Sequence, residues 1–258
     1  MTPTVPRFAE LAASADWRTV DFISDLHLHE AEPQTFAAWQ SYMARTPADA
    51  VFILGDMFEV WVGDDAALPG SFEARCVDVL RAAGSHAKLF FMHGNRDFLA
   101  GAGLMAQCQA TLLDDPTVLG FAGQRFLLTH GDALCLDDVD YMRFRQEVRS
   151  TAWQQEFLAK PLAQRQAIAR GLREQSEARK RTGVHYADVD TPSATQWLHA
   201  ANAATMIHGH THKPADHDLA NGLRRIVLSD WDAAAAPPRA QVLRLTAGGL
   251  QRLPARAC

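Results

Sequence analysis

The chain has 258 residues, 48% of them apolar and 21% charged, with a formal net charge of −5 at pH 7. That length and composition allow one sizeable core with an elaboration and exclude a disordered chain, and the negative charge disfavours a protein that tracks nucleic-acid phosphates. No apolar run approaches the ~20 residues of a membrane helix, no basic-then-apolar leader opens the chain, and Cys76, Cys108, Cys135 and Cys258 lack CxxC spacing, which fits a reducing compartment better than a disulfide framework.

Residues 1–18 read as a loosely attached extension. The domain proper begins with "TVDFISDLH", a strand that ends in polar residues, and "PQTFAAWQSYMART" follows with apolar residues at helical spacing. "AVFILGDMF" is a second such strand, "GSFEARCVDVLRAAG" a helix stopped by Gly84, and "KLFFMHGNRD" and "FLLTHGD" are two more strands. Alternating strands and helices imply an α/β fold, in which ligands gather beyond the carboxyl ends of the strands. At about 138–185 a helical insertion intervenes, divided by Pro161 into two helices. Over residues 140–183 it carries ten Lys/Arg against five Asp/Glu. "ATMIHGHTH" and "LRRIVLSDW" then return to strand character, so the insertion interrupts one domain spanning 19–258. A basic helical pair is as readily a solvated face as a functional one.

The polar clusters at the strand ends carry the chemistry: Asp25 and His27, Asp56, Asn95, His130, and His208 with His210. The steps from Asp25 to Asp56, Asn95 and His130 are 31, 39 and 35 residues, each close to the roughly 30 or more of a strand–helix–strand unit, which would bring the clusters to one sheet edge. Seven nitrogen and oxygen ligands without a thiolate exceed the needs of one tetrahedral ion and suit two divalent ions, with a carboxylate able to bridge them. Asp-x-His and His-x-His spacing would turn both side chains of each pair the same way. Asp64 and Asp65 read as a polar turn, and Cys135 as a small apolar residue.

Asp-x-His, Gly-Asp, Gly-Asn, His-Gly-Asp and Gly-His-x-His in this order resemble the calcineurin-like metallophosphoesterases. The flanks "LGDMFEVWVGDD", "MHGNRDFL", "HGDALCLDDVDYMRFR" and "IHGHTHKP" are similar to those of its UDP-2,3-diacylglucosamine hydrolase branch, over residues 19–232. The resemblance implies an α/β/β/α sandwich with a helical cap. It implies two ions, Mn²⁺ in this family, one held by Asp25, His27, Asp56 and His210 and the other by Asp56, Asn95, His130 and His208, with His212 outside the set.

The reaction so implied is hydrolysis of the pyrophosphate of UDP-2,3-diacylglucosamine to UMP and 2,3-diacylglucosamine 1-phosphate, in lipid A biosynthesis. Its place would be the cytoplasmic face of the bacterial inner membrane, against an anionic surface and with no protein partner inferred. Asn95 and Arg96 would serve catalysis. Arg96 replaces the histidine of the wider family's phosphatases, and a guanidinium fork suits a departing phosphate monoester better than an imidazole does. Asn95, Arg96, Asp138, Ser176, Lys180 and His208 would contact substrate, with Arg179 and Arg181 as alternatives to Lys180 and Asp137 as a helix cap. Phe144, Trp153, Phe157 and Leu162 read first as cap core. The competing readings are hydrolysis of a soluble nucleotide pyrophosphate or phosphodiester, and a metal-free binding scaffold; the latter expects lost ligands, and none is lost.

Overall fold

A computed structural model describes residues 5–181 and 187–257, with side chains over the same range except 175–181 and 257. The first half runs β1 (Ala9–Ala12), β2 (Thr19–Ile23), α1 (Pro33–Arg45), β3 (Ala50–Leu54), α2 (Phe72–Ala83), β4 (Lys88–Met92), α3 (Ala102–Cys108), β5 (Ala110–Leu113), β6 (Thr117–Phe121) and β7 (Gln124–Leu128). The insertion is α4 (Val139–Val148), α5 (Thr151–Leu158) and α6 (Leu162–Arg181). The chain then continues through α7 (Thr191–Ala200), β8 (Thr205–His208), β9 (Ala215–Asp218), β10 (Arg224–Val227), β11 (Gln241–Thr246) and β12 (Gly249–Pro254).

The strands form two six-stranded sheets, ordered β12-β11-β2-β3-β4-β5 and β1-β6-β7-β8-β10-β9. In the first, β2, β3, β4 and β5 run parallel through crossover helices. The alternation of side chains along each strand builds the layers. Ala50, Phe52 and Leu54 of β3, with Val20, Phe22, Phe90 and Met92, face the second sheet's Leu119, Phe126, Leu128, Ile207 and Ile226. Val51 and Ile53 face the other way, onto Trp39, Tyr42, Val77 and Leu80 of α1 and α2. Beyond the second sheet, Val118, Leu127 and Met206 pack on Ala194, Trp197 and Leu198 of α7. The result is the α/β/β/α sandwich. Burial on both faces explains why the central strands read as unbroken apolar runs.

Three expectations need correction. Residues 5–17 are not a loose extension: β1 pairs in parallel with β6, Phe8 meets Trp197 edge-on at 6.3 Å, and Trp17 packs at 6.5 and 5.8 Å on Phe52 and Phe90. "AELA" is a strand because an open sheet edge receives it, not because of its own propensity. The insertion holds three helices instead of two. Pro161 opens α6 as foreseen, but the chain also breaks at Arg149, where the Ser150 side chain accepts from Trp153 N–H and starts α5. The chemical clusters lie on two sheets instead of one edge, since β2, β3 and β4 belong to the first sheet and β7 and β8 to the second.

The cap sits against the helical layer. Trp153, Leu162 and Ile168 join the cluster that contains buried Phe157 and Trp61, while Phe144, read as core, is 37% exposed. Arg165 of α6 is 2% exposed and reaches the Val62 carbonyl and the Asp65 carboxylate. Asp64 accepts from Gly101 and Leu104 N–H at the start of α3 and from Trp61 Nε1, so the two aspartates read as a polar turn anchor α3 and α6.

Deleting residues 1–13 should lower stability by about 2–4 kcal/mol, because it strips a paired strand and the Phe8 and Leu11 contacts. Urea denaturation of the shortened and full chains measures it, and an unchanged midpoint would contradict the structural role given to β1.

Candidate metal centre

Three loops from the first sheet and two from the second converge between the sheets. Asp25 and His27 follow β2, Asp56 follows β3 and Asn95 follows β4, while His130 follows β7 and His210 and His212 follow β8. Asp25, His27 and His212 bring ligating atoms within 4.8 Å of one another, and so do Asp56, His130 and His210. Asp56 lies between the groups, with Oδ2 4.0 Å from His27 Nε2 and Oδ1 3.7 Å from His130 Nε2. Asn95 Oδ1 stands 3.1 Å from His130 Nε2 and 2.8 Å from His210 Nδ1.

The backbone is bent to make this possible. Asp25, His27, Asp56, His210 and His212 all have left-handed φ, from 46° to 67°. In non-glycine residues such conformations cost roughly 1–3 kcal/mol each and gather where structure serves function. The Asp-x-His geometry thus comes from a loop bent after Ile23, not from a strand's two-residue period. Glycines allow the close approach. A Cβ at Gly94 would collide with the Asp56 carboxylate, and one at Gly209 with Ser24 and the Asp25 carboxylate. Asp97, fully buried, accepts from Asp56, Met57 and Gly94 N–H and so ties the β3 and β4 loops. Burial, and then the neighbouring Asp56 charge, push its carboxyl up to about 6.

The donors fit divalent ions. His27 Nδ1 lies 3.1 Å from Glu59 Oε2 and His130 Nδ1 donates to the Leu54 carbonyl at 2.9 Å, so each ring aims Nε2 inward. For His130 that is the outer-partner pattern of metal-ligating imidazoles. His27 Nε2 and His212 Nε2 face one another at 3.1 Å, and His212 Nε2 is 3.4 Å from Asp25 Oδ1. Two imidazole nitrogens converging on a carboxylate oxygen, with no thiolate near, suit a borderline cation.

Of the seven ligands read from sequence, the structure brings together Asp25, His27, Asp56, Asn95, His130 and His210, and it separates His208. His208 closes β8 with no exposed surface; its Nδ1 lies 2.8 Å from the Gly209 carbonyl oxygen and its Nε2 3.3 Å from Arg225 Nη1. Burial and the Arg225 charge hold its ring down at about 3, hence neutral. Neither a ligand role nor a substrate contact suits it. His212, placed outside the set by sequence, occupies the Asp25–His27 group, and His210 sits with the second group instead of the first. The strand ends at His208, so the ring before the glycine stays in the sandwich. The chain then turns through His210, whose N–H donates to Asp25, and the two later rings reach the centre.

Arg96 N–H donates to Asp56 Oδ1 at 2.8 Å, and its guanidinium Nη1 is 3.6 Å from Glu59 Oε1. Arg173 of α6 approaches the same oxygen at 3.2 Å. Burial opposes the charge on Glu59, but His27, Arg96 and Arg173 outweigh it and hold the carboxyl down at about 2. Glu59 and Arg173 escaped the sequence reading; the only available signal for Glu59 was its place in "GDMFE". Asp138 caps α4 by accepting from Tyr141 N–H at 3.0 Å, the part assigned to Asp137. Ser176 and Lys180, like their alternatives Arg179 and Arg181, have side chains outside the described residues. Cys135 is buried with its thiol pushed up to about 12 by burial and the nearby Asp132 charge, an inert apolar residue.

The family model for calcineurin-like phosphoesterase matches residues 18–214. The chain is 46% identical over 244 residues to a UDP-2,3-diacylglucosamine hydrolase of Chromobacterium violaceum, covering 91% of this chain and 98% of that protein. It is 42% identical over 251 residues to one of Ralstonia nicotianae, covering 92% and 93%. Among solved structures, an archaeal phosphodiesterase superposes with a TM-score of 0.48 at 12% identity, covering 91% and 98%.

His212→Ala should take up one divalent ion fewer than the parent in equilibrium dialysis against Mn²⁺. His208→Ala should keep the parent's stoichiometry and lose about 1–3 kcal/mol of stability, because Arg225 loses a buried neighbour. The opposite pattern would restore His208 as a ligand.

Proposed function

The chain belongs to the calcineurin-like phosphoesterases, and on that premise we propose that it hydrolyses UDP-2,3-diacylglucosamine at its pyrophosphate, giving UMP and 2,3-diacylglucosamine 1-phosphate for lipid A biosynthesis. The observation that carries the reading is the pair of ligand groups with Asp56 standing between them, in a chain whose relatives of that name match it almost end to end. One ion would be held by Asp25, His27, Asp56 and His212 and the other by Asp56, Asn95, His130 and His210; Mn²⁺ is the ion we propose. Two cations so held supply a nucleophilic water at neutral pH and positive charge against the phosphoryl oxygens.

The protein's own groups do the positioning. Asn95 presents a side-chain amide at the second group, beside the phosphoryl site. Arg96 and Arg173 converge on Glu59 from the core and from the cap, and their guanidinium groups are the donors we assign to the pyrophosphate oxygens. A fork of donors stabilises the phosphate monoester as it leaves, so no strong general acid is needed. Asp138, half-buried at the mouth of the cap, is proposed to accept from the sugar head group.

The cap suits a lipid. Val139, Phe144, Leu158 and Leu172 are large apolar residues left exposed on it, 37–53% each, among a surplus of basic residues. Exposed apolar groups favour a bilayer surface, and each basic residue that approaches an anionic one adds about 1 kcal/mol. No helix among the described residues is long and apolar enough to cross a membrane. We therefore propose peripheral attachment, at the cytoplasmic face of the inner membrane.

Purified protein assayed on UDP-2,3-diacylglucosamine and on UDP-glucose, each with Mn²⁺ and with chelator, tests the proposal. Turnover is expected on the diacylated substrate alone, abolished by chelation; equal rates on both would instead favour a soluble-nucleotide pyrophosphatase. Arg96→Ala should lose about 10²-fold in kcat while binding both ions, as expected for removal of one donor to developing charge. Parent-like turnover in that variant would refute its role.

A further inference from the structure

Helix α4 lies beside the second ligand group, where the Tyr141 ring meets the His210 ring, with little apolar surface to hold it there, since Val148 is its one fully buried side chain. A polar stripe takes the place of a core. Tyr141 and Arg145, and Arg149 at the helix's C-terminal cap, recur every four residues and so lie on one side. All three converge on Asp132, the third residue of His-Gly-Asp, which has no exposed surface and is not among the candidate ligands. Its Oδ2 accepts from Tyr141 Oη at 2.5 Å and Arg145 Nε at 2.8 Å, with Arg149 Nη2 3.9 Å away.

The same side chains touch the second ligand group. The Tyr141 ring lies against the His210 ring, with centroids 5.8 Å apart and planes 30° from parallel. Arg149 Nη2 donates to the Gly94 carbonyl at 2.9 Å and its guanidinium stacks over Phe98, so it grips the loop that presents Asn95. Gly94 N–H is already held by Asp97. Gly94, the residue before Asn95, is thereby held from the core at its N–H and from the cap at its carbonyl.

We propose that Asp132 is a positioning residue that sets cap helix α4 and the second ion's ligands as one unit, through Tyr141 onto His210 and through Arg149 onto the Asn95 loop. The inference rests on the dimetal reading above and adds a dependence of ion affinity on the cap. Partners one step beyond a ligand commonly alter metal affinity 10–100-fold when removed. An interior carboxylate is the suitable hub, because one oxygen can accept from a phenol and a guanidinium together.

The test is calorimetric titration of the full chain with Mn²⁺ alone, alongside amide hydrogen exchange over residues 139–148. Asp132→Asn keeps the shape and removes the charge. It should weaken the second ion about 10–100-fold, leave the first unchanged and speed exchange in α4. Faster exchange with both ions bound as in the parent would show that Asp132 merely docks the helix, and would overturn the proposal. If Asp132→Asn does not fold, Tyr141→Phe and Arg149→Gln decide, since each cuts one arm; second-ion affinity unchanged in both overturns it. No substrate is present, so an error in the lipid assignment leaves the result intact. A parent that takes up a single ion would instead refute the dimetal reading, and the positioning role with it.

Discussion

Asp56 is the constraint on which the rest of the structure depends. Its carboxylate must stand between two groups of ligands that each draw on loops of both sheets, and that requires β3 to end, turn through a left-handed residue and stop against the β4 loop. The apolar strand AVFIL, buried throughout, fixes where the turn begins. Gly94 leaves the space that the Asp56 carboxylate fills, and Gly55 leaves room for the His130 ring and the Gly94 backbone. Asp97 then satisfies the amides that the turn leaves over. A single negative group shared by two sites gains its value from being immovable, and the sandwich on both sides of β3 makes it so.

The layers and the chemistry are therefore not separable. The core between the sheets aligns the ends of β2, β3 and β4 with those of β7 and β8, and short backbone hydrogen bonds lock the register: Asp25 N–H to Gly55 O, Gly209 N–H to His130 O, and Leu228 N–H to His208 O. The cap is held on another principle. Its hydrophobic face joins the α1–α2 layer through Trp153, Phe157 and Leu162, and its ionic anchors, Arg165 on Asp65 and the α4 stripe on Asp132, reach loops that border the centre. A buried carboxylate such as Asp132 contributes less net stability through its ion pairs than their geometry suggests, but it defines one arrangement sharply.

Much of this was legible in the residues. Continuous apolar runs ending in Asp, Asn or His identified the strands and their functional ends, because burial on both faces and a ligand at the tip leave few other residue types possible. The order of the clusters carried the family. The placement of β1 was not legible, because a four-residue AELA segment has no propensity that outweighs an open edge. The third cap helix was also missed, since a serine cap is a weaker signal than the proline that follows it.

The three histidines of "HGHTH" mark the boundary. The sequence by itself determined that two imidazoles at alternate positions serve the centre, and with Asp25, His27, Asp56, Asn95 and His130 it determined a two-ion chemistry of nitrogen and oxygen donors. Alternation by itself does not decide which two, because it holds equally for 208 with 210 and for 210 with 212, although Gly-His-x-His itself falls on residues 209–212. Only the tertiary structure decided, by ending β8 at His208, burying that ring beside Arg225, and turning the chain through left-handed residues that carry His210 and His212 across the gap between the sheets. Local spacing fixes which side chains can point the same way; where a strand stops depends on the strand beside it.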